Sequence, residues 1–172
     1  MPVPLDILGR FVVARRESGV LVEADDLARS ASATFTPAAT SHLAGDVVGG
    51  AREFQLAAPT GRLFQIDTVS LLINNATIET TAWALHLYSV TPPSALADDA
   101  AFDVPAGDQA SYLGSIAIPQ VVDLGSTLWI ESHNIGKKVK LAGTSVFGYL
   151  VNGTTLTPGA VAHIVTIAGR PI

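Results

Sequence analysis

The sequence predicts an all-β protein: one antiparallel domain, a sandwich or a barrel, preceded by an N-terminal arm. Three observations predict it. Short apolar runs rich in Val, Ile, Thr and aromatic residues recur from residue 31 to the end, the composition that pleated, half-buried surfaces favour. Gly, Asn, Asp and Pro separate the runs at intervals of roughly 8–12 residues, as in sandwiches and barrels. Within the runs apolar and polar residues alternate, the period of a strand with one face on a core.

Taken in order, residues 1–30 stand apart. They hold Arg10, Arg15, Arg16 and Arg29 with Asp6, Glu17, Glu23, Asp25 and Asp26, and the runs Phe11-Val12-Val13 and Val20-Leu21-Val22 flank Glu17-Ser18-Gly19. Two readings stand: a hairpin or arm that reaches a neighbouring subunit, or edge strands of the main domain. Asp26-Leu27-Ala28-Arg29 adds a candidate helical turn. Residues 31–172 form the main domain, with strands expected at 31–36, 46–48, 52–57, 62–73, 80–90, 110–118, 121–131, 138–142, 145–151 and 161–168. Gly49-Gly50 reads as a turn between two of them. In 62–73 the apolar phase passes from Phe64 and Ile66 to Val69, Leu71 and Ile73, which predicts a β-bulge at Asp67-Thr68. Runs 145–151 and 128–130 are apolar on both faces, which in an antiparallel fold predicts contacts with other subunits. Ser94–Phe102, after Pro92-Pro93, is the one predicted helix, with Ser94 as its cap.

Composition bounds the function. The chain has 172 residues, a net charge of −5, 48% hydrophobic residues and 15% charged ones, against roughly 25% charged in an average domain. Its mean hydropathy is +0.40. Disorder needs the opposite balance, and three lysines on an acidic chain argue against a nucleic-acid partner. No apolar stretch reaches the ~18 residues of a membrane helix, so no membrane partner is expected. The apolar excess must lie in a core, in subunit contacts, or in both. There is no cysteine, which removes disulfides and thiolate chemistry. The opening Met1-Pro-Val-Pro-Leu-Asp6 lacks a signal-peptide pattern, so synthesis in the cytoplasm without export is expected, and the sequons at Asn75 and Asn152 read as chance.

No residue pattern points to catalysis. His42, His86, His133 and His163 show no metal-ligand spacing; His86 and His163 are expected on strand faces, His42 and His133 in loops. Asp98, Asp99, Asp103 and Asp108 lack the EF-hand pattern, and a solvated acidic loop is expected ahead of a loose calcium site. No nucleophile elbow or phosphate loop occurs. Neither an enzyme nor a cofactor nor a metal is expected. Trp83 and Trp129 raise sugar stacking as a reading, but their apolar neighbours place both in the core. Lys137, Lys138 and Lys140 read as a solvated edge strand or as a contact with an acidic neighbour.

Ala44-Gly45-Asp46-Val47-Val48-Gly49, Phe64-Gln-Ile66, Val69-Ser-Leu71, Ala84-Leu-His86-Leu-Tyr88-Ser-Val90-Thr-Pro92, Ala97-Asp98-Asp99-Ala100-Ala101-Phe102 and Tyr112-Leu113-Gly114-Ser115-Ile116 follow one another in this order. The series, over about residues 31–150, resembles the small proteins of tailed bacteriophages that decorate or cement the capsid. The resemblance implies a β-sandwich, jelly-roll-like, that sits as a trimer or other homo-oligomer on the outer face of the head. Its partner would be the major capsid protein, and its role the stabilisation of the capsid in the virion. It carries over no functional residue; the candidate subunit and capsid contacts are Arg10, Arg15, Arg16, Lys137, Lys138 and Lys140. The alternative is a receptor- or glycan-binding trimeric head of a phage fibre or spike. For that, Phe147-Gly-Tyr149-Leu-Val151 resembles the late strand of trimeric jelly-roll heads of the tumour-necrosis-factor type.

Overall fold

A computed structural model describes residues 28–75 and 81–172 in full, and residues 14–17 and 20–23 by their backbone. No helix occurs among the described residues. Ten strands build the main domain: β3 (Arg29–Phe35), β4 (Val47–Gln55), β5 (Leu63–Ile73), β6 (Trp83–Tyr88), β7 (Tyr112–Ile118), β8 (Val122–Asp123), β9 (Leu128–Ser132), β10 (Lys137–Lys140), β11 (Ser145–Asn152) and β12 (His163–Pro171). Before them β1 (Ala14–Glu17) and β2 (Val20–Glu23) form a separate two-stranded sheet among the described residues. The predicted run Phe11-Val12-Val13 and the first half of the predicted turn at 26–29 lie outside the described residues.

Two antiparallel sheets face each other. One runs β3-β12-β5-β9-β8, with β10 also on β5; the other runs β4-β11-β6-β7. The pairing is nested: β3 with β12, β4 with β11, β5 with β9, β6 with β7. First pairs with last and the connections cross between sheets, which is a jelly roll, so the expected fold class is the one observed.

Strand β5 is long enough to serve two neighbours along one edge. Residues 69–73 pair with β9 and residues 63–66 with β10. Between them sits the predicted bulge: Ala168 faces Thr68 and Gly169 faces Ile66, leaving Asp67 extra. The Asp67 carbonyl takes the Ile135 N–H at 3.0 Å. The bulge returns Phe64, Ile66, Val69, Leu71 and Ile73 to one face, all fully buried. Gly169 is required opposite it, since a Cβ there would lie 1.9 Å from the Gln65 carbonyl oxygen.

The space between the sheets is filled by alternate residues of both, including Phe35, Phe54, Leu85, Leu87, Ile116, Leu150, Val165 and Ile167. Each large side chain so buried contributes about 1.5–3 kcal/mol. Trp83 belongs here as expected, 2% exposed and edge-on to His163 at 5.4 Å.

Three local expectations are corrected. Gly49-Gly50 is no turn: both glycines have positive φ inside β4, which is one strand. A Cβ on Gly49 would meet Thr36 N at 2.7 Å. Residues 121–131 are two strands, because Leu124 N–H closes a turn onto Thr127 O at 2.8 Å. Ser94–Phe102 is not a helix. Its backbone bonds to β4 instead, with Val47 N–H on Ala100 O at 2.8 Å and Asp99 N–H on Val47 O at 2.9 Å. Nine residues make a marginal helix, and pairing with a strand wins.

Candidate interaction faces

Each sheet has an outer face, and the two are built differently. On the four-stranded sheet, register brings His86 beside Tyr149 and Tyr88 between Phe147 and Tyr112. The rings pack on one another: Tyr88 meets Tyr149 at 5.7 Å and 89°, and Phe102 covers His86 at 3.8 Å. Phe102 and Leu96 come from the loop between β6 and β7, and they close this second cluster with Val47 and Val151. Leu96 N–H donates to the Tyr149 hydroxyl at 2.9 Å. The hydroxyl of Tyr112 lies 2.9 Å from His86 Nδ1. Burial pushes the His86 pKa down to about 4, so its ring is neutral over most of the pH range. Burial, then the charge of Asp108, raises the pKa of Tyr88, whose buried hydroxyl has no hydrogen-bond partner among the described residues.

The loop is fixed by two carboxylates. Asp98 Oδ1 accepts from Gly49 N–H at 2.7 Å and from His42 Nε2 at 2.9 Å; Oδ2 accepts from Ala38 N–H at 2.7 Å. One side chain thus ties the β6–β7 loop to the β3–β4 loop and to β4. His42 is fully buried, and its Nδ1 faces the Thr40 carbonyl at 3.1 Å. Both ring nitrogens face acceptor oxygens, an arrangement that favours the protonated ring. Burial opposes that charge, but the Asp98 bond, the Thr40 carbonyl and the charges of Asp98 and Asp99 outweigh it and raise the pKa. Asp98 is also opposed by burial, yet the Ala38, Gly49 and His42 donors hold its pKa below the ordinary value. Asp108, 1% exposed, accepts from Ser94 N–H at 3.2 Å and from the Ser94 hydroxyl. The expectation of a solvated acidic loop therefore holds for Asp99 and Asp103, which are exposed, and is overturned for Asp98 and Asp108. Short polar side chains bonding nearby amides are what fix such a loop.

The outer face of the larger sheet has no such cover among the described residues. Thr34, Ile164, Leu72, Trp129 and Val122 pair in register across five strands and so share one face. Ile164, Leu72 and Trp129 are half-buried, Val122 is 56% exposed, and Leu124 beside it is 62% exposed. Trp129 is thus a surface ring, against the expected core placement. Toward the other end of the same face, Arg170, Gln65 and Lys138 form a second in-register row, with Lys140 beside Leu63. The face is apolar at one end and basic at the other.

The candidate contact residues separate. Lys138 and Lys140 are exposed on the edge strand β10, as the edge reading predicts. Lys137 is half-buried, its ammonium lying against Gly114 of β7. Arg15 and Arg16 lie on β1, opposite Val22 and Leu21, and Arg10 lies outside the described residues. Of the histidines, His86 and His163 are on strands and His42 and His133 in loops, as expected. Sequence reasoning missed Asp98 and His42, which are 56 residues apart and belong to no motif. It also missed Arg170, because only the pairing of β12 and of β10 with β5 puts it in one row with Lys138, on either side of Gln65. No group of three or more His, Asp or Glu side chains able to hold a metal occurs among the described residues.

No family model matches the chain, and no curated protein matches it.

Proposed function

We propose that this chain is a structural, non-enzymatic protein that decorates and cements a phage head. It would act as a homo-oligomer, a trimer, on the outer capsid surface, with the major capsid protein as partner. The observation that carries the reading is the apolar row Ile164-Leu72-Trp129-Val122 on the larger sheet, left uncovered by the described residues. Rings and aliphatic side chains left half-exposed in a row mark contact surfaces, and aromatic anchors dominate binding energy. The row is the subunit contact in this proposal. The exposed Lys138 and Lys140 and the arginines of the N-terminal segment reach the capsid. No ion pair among the described residues involves Lys138, Lys140 or Arg170, so their charge remains for a partner.

Decoration needs only buried area repeated by symmetry. A standard interface buries ~1,600 Å², and many copies multiply modest contacts into avidity. The test is binding to expanded, empty capsids and the capsid melting temperature with and without the protein. The proposal predicts saturable binding and a higher melting temperature. Failure to bind capsids while binding host cells would contradict it and favour the fibre or spike head.

A further inference from the structure

The outer side of the smaller sheet carries a second feature, a cleft of about 410 Å³ between the start of the β6–β7 loop and the β10–β11 loop. That is within the range of small-molecule sites, ~300–1,000 Å³. Its floor is Phe147, half-buried, with Glu53 directly opposite on the neighbouring strand. Directly opposed residues hold their Cβ atoms about 4.5–5.5 Å apart, so ring and carboxylate converge on the same space. Ser89 and Thr91 stand on one wall, Thr144 and Ser145 on the other.

Chemistry selects the ligand. Glu53 is the one charged residue lining the cleft, and it makes no hydrogen bond or ion pair with the described residues. A carboxylate only accepts, whereas the four hydroxyls donate and accept. An anion is repelled by Glu53 and by the net charge of −5. A purely apolar molecule would strip water from a carboxylate and give nothing back. The match is a neutral molecule that has adjacent O–H donors on one side and a C–H face on the other. We propose that this cleft binds a neutral saccharide, its C–H face on Phe147 and neighbouring hydroxyls on Glu53. The inference does not rest on the capsid reading. The cleft lies on the sheet opposite the proposed subunit contact, so a saccharide could be bound by an assembled protein.

The experiment is saturation-transfer NMR and calorimetry on the full chain with neutral oligosaccharides built on glucose, galactose, mannose and N-acetylglucosamine. The expected result is binding by at least one of them, weakened about tenfold or more by Glu53→Gln, since a bond to a charged acceptor is lost. Phe147→Leu keeps the apolar volume but not the ring and weakens binding by a similar factor. Thr144→Val, at an exposed position, gives a smaller loss with the fold intact. The proposal is overturned if no saccharide binds, if binding survives Glu53→Gln and Phe147→Leu in folded protein, or if a lysine-rich peptide binds in their place. No capsid enters this test, so its failure and that of the decoration reading are separate results.

Discussion

The outer faces of the two sheets both carry apolar side chains and resolve them in opposite ways. On the smaller sheet the chain covers itself: residues 89–111 fold back, Phe102 lies on His86, Asp98 ties the loop to the Ala38 and Gly49 amides, and Asp108 accepts from Ser94 within it. On the larger sheet the row Ile164-Leu72-Trp129-Val122 remains uncovered by the described residues. The lesson is that a strand apolar on both faces does not by itself announce a partner. Strand β11 met its second face within the chain, correcting the expectation of a subunit contact there, while β9 did not.

Substitutions on the two faces are expected to differ in cost, large on the covered face and small on the open one. Tyr149→Ala on the covered face removes a fully buried ring and is expected to cost about 3–5 kcal/mol, measured by chemical denaturation. Asp98→Ala leaves the Ala38 and Gly49 amides and His42 without their acceptor. It is expected to cost about 3 kcal/mol, with faster hydrogen exchange confined to the β6–β7 and β3–β4 loops. Tyr149→Phe leaves only the Leu96 amide unpaired, a loss of about 1 kcal/mol. Val122→Asp, at an exposed position on the open face, is expected to change stability by less than about 0.5 kcal/mol and to weaken association.

The covered face also predicts a pH profile. His42 has a raised pKa, so its contribution is complete below the unfolded value of 6.5 and is lost as pH rises through the folded value. Asp98 has a lowered pKa, so its contribution is present above 3.8 and is lost as pH falls through the folded value. The latch is thus complete between 3.8 and 6.5. His86 works the other way: with its pKa down to about 4, stability is lost as pH falls below 6.5. Melting temperatures across this range should show His42→Asn flattening the alkaline limb and His86→Phe flattening the acid limb. Unchanged limbs would show that these two rings do not hold the loop.

Much of the fold was legible. Alternation marked the long strands, and the phase change at Asp67-Thr68 marked the bulge, because a bulge must shift the apolar phase to keep one face buried. The loop 89–111 was not legible. Its conformation depends on Asp98 meeting amides of Ala38 and Gly49, contacts remote in sequence that local propensity does not encode. The glycines of β4 were misread for a related reason, since positive φ serves a turn and a bulge alike. Of the candidate site, the lysines of β10 could be read as an edge strand, but Arg170 and the register that aligns Trp129 with Leu72 required the sheet.

The open face of the larger sheet is the proposed subunit contact. Sedimentation of the full chain against the double variant Val122→Asp, Leu124→Asp tests it most directly. The expected result is a wild-type trimer and a variant that sediments as a monomer with an unchanged melting temperature. A wild-type chain that is monomeric across the concentration range, or a variant that assembles as the wild type does, would contradict it.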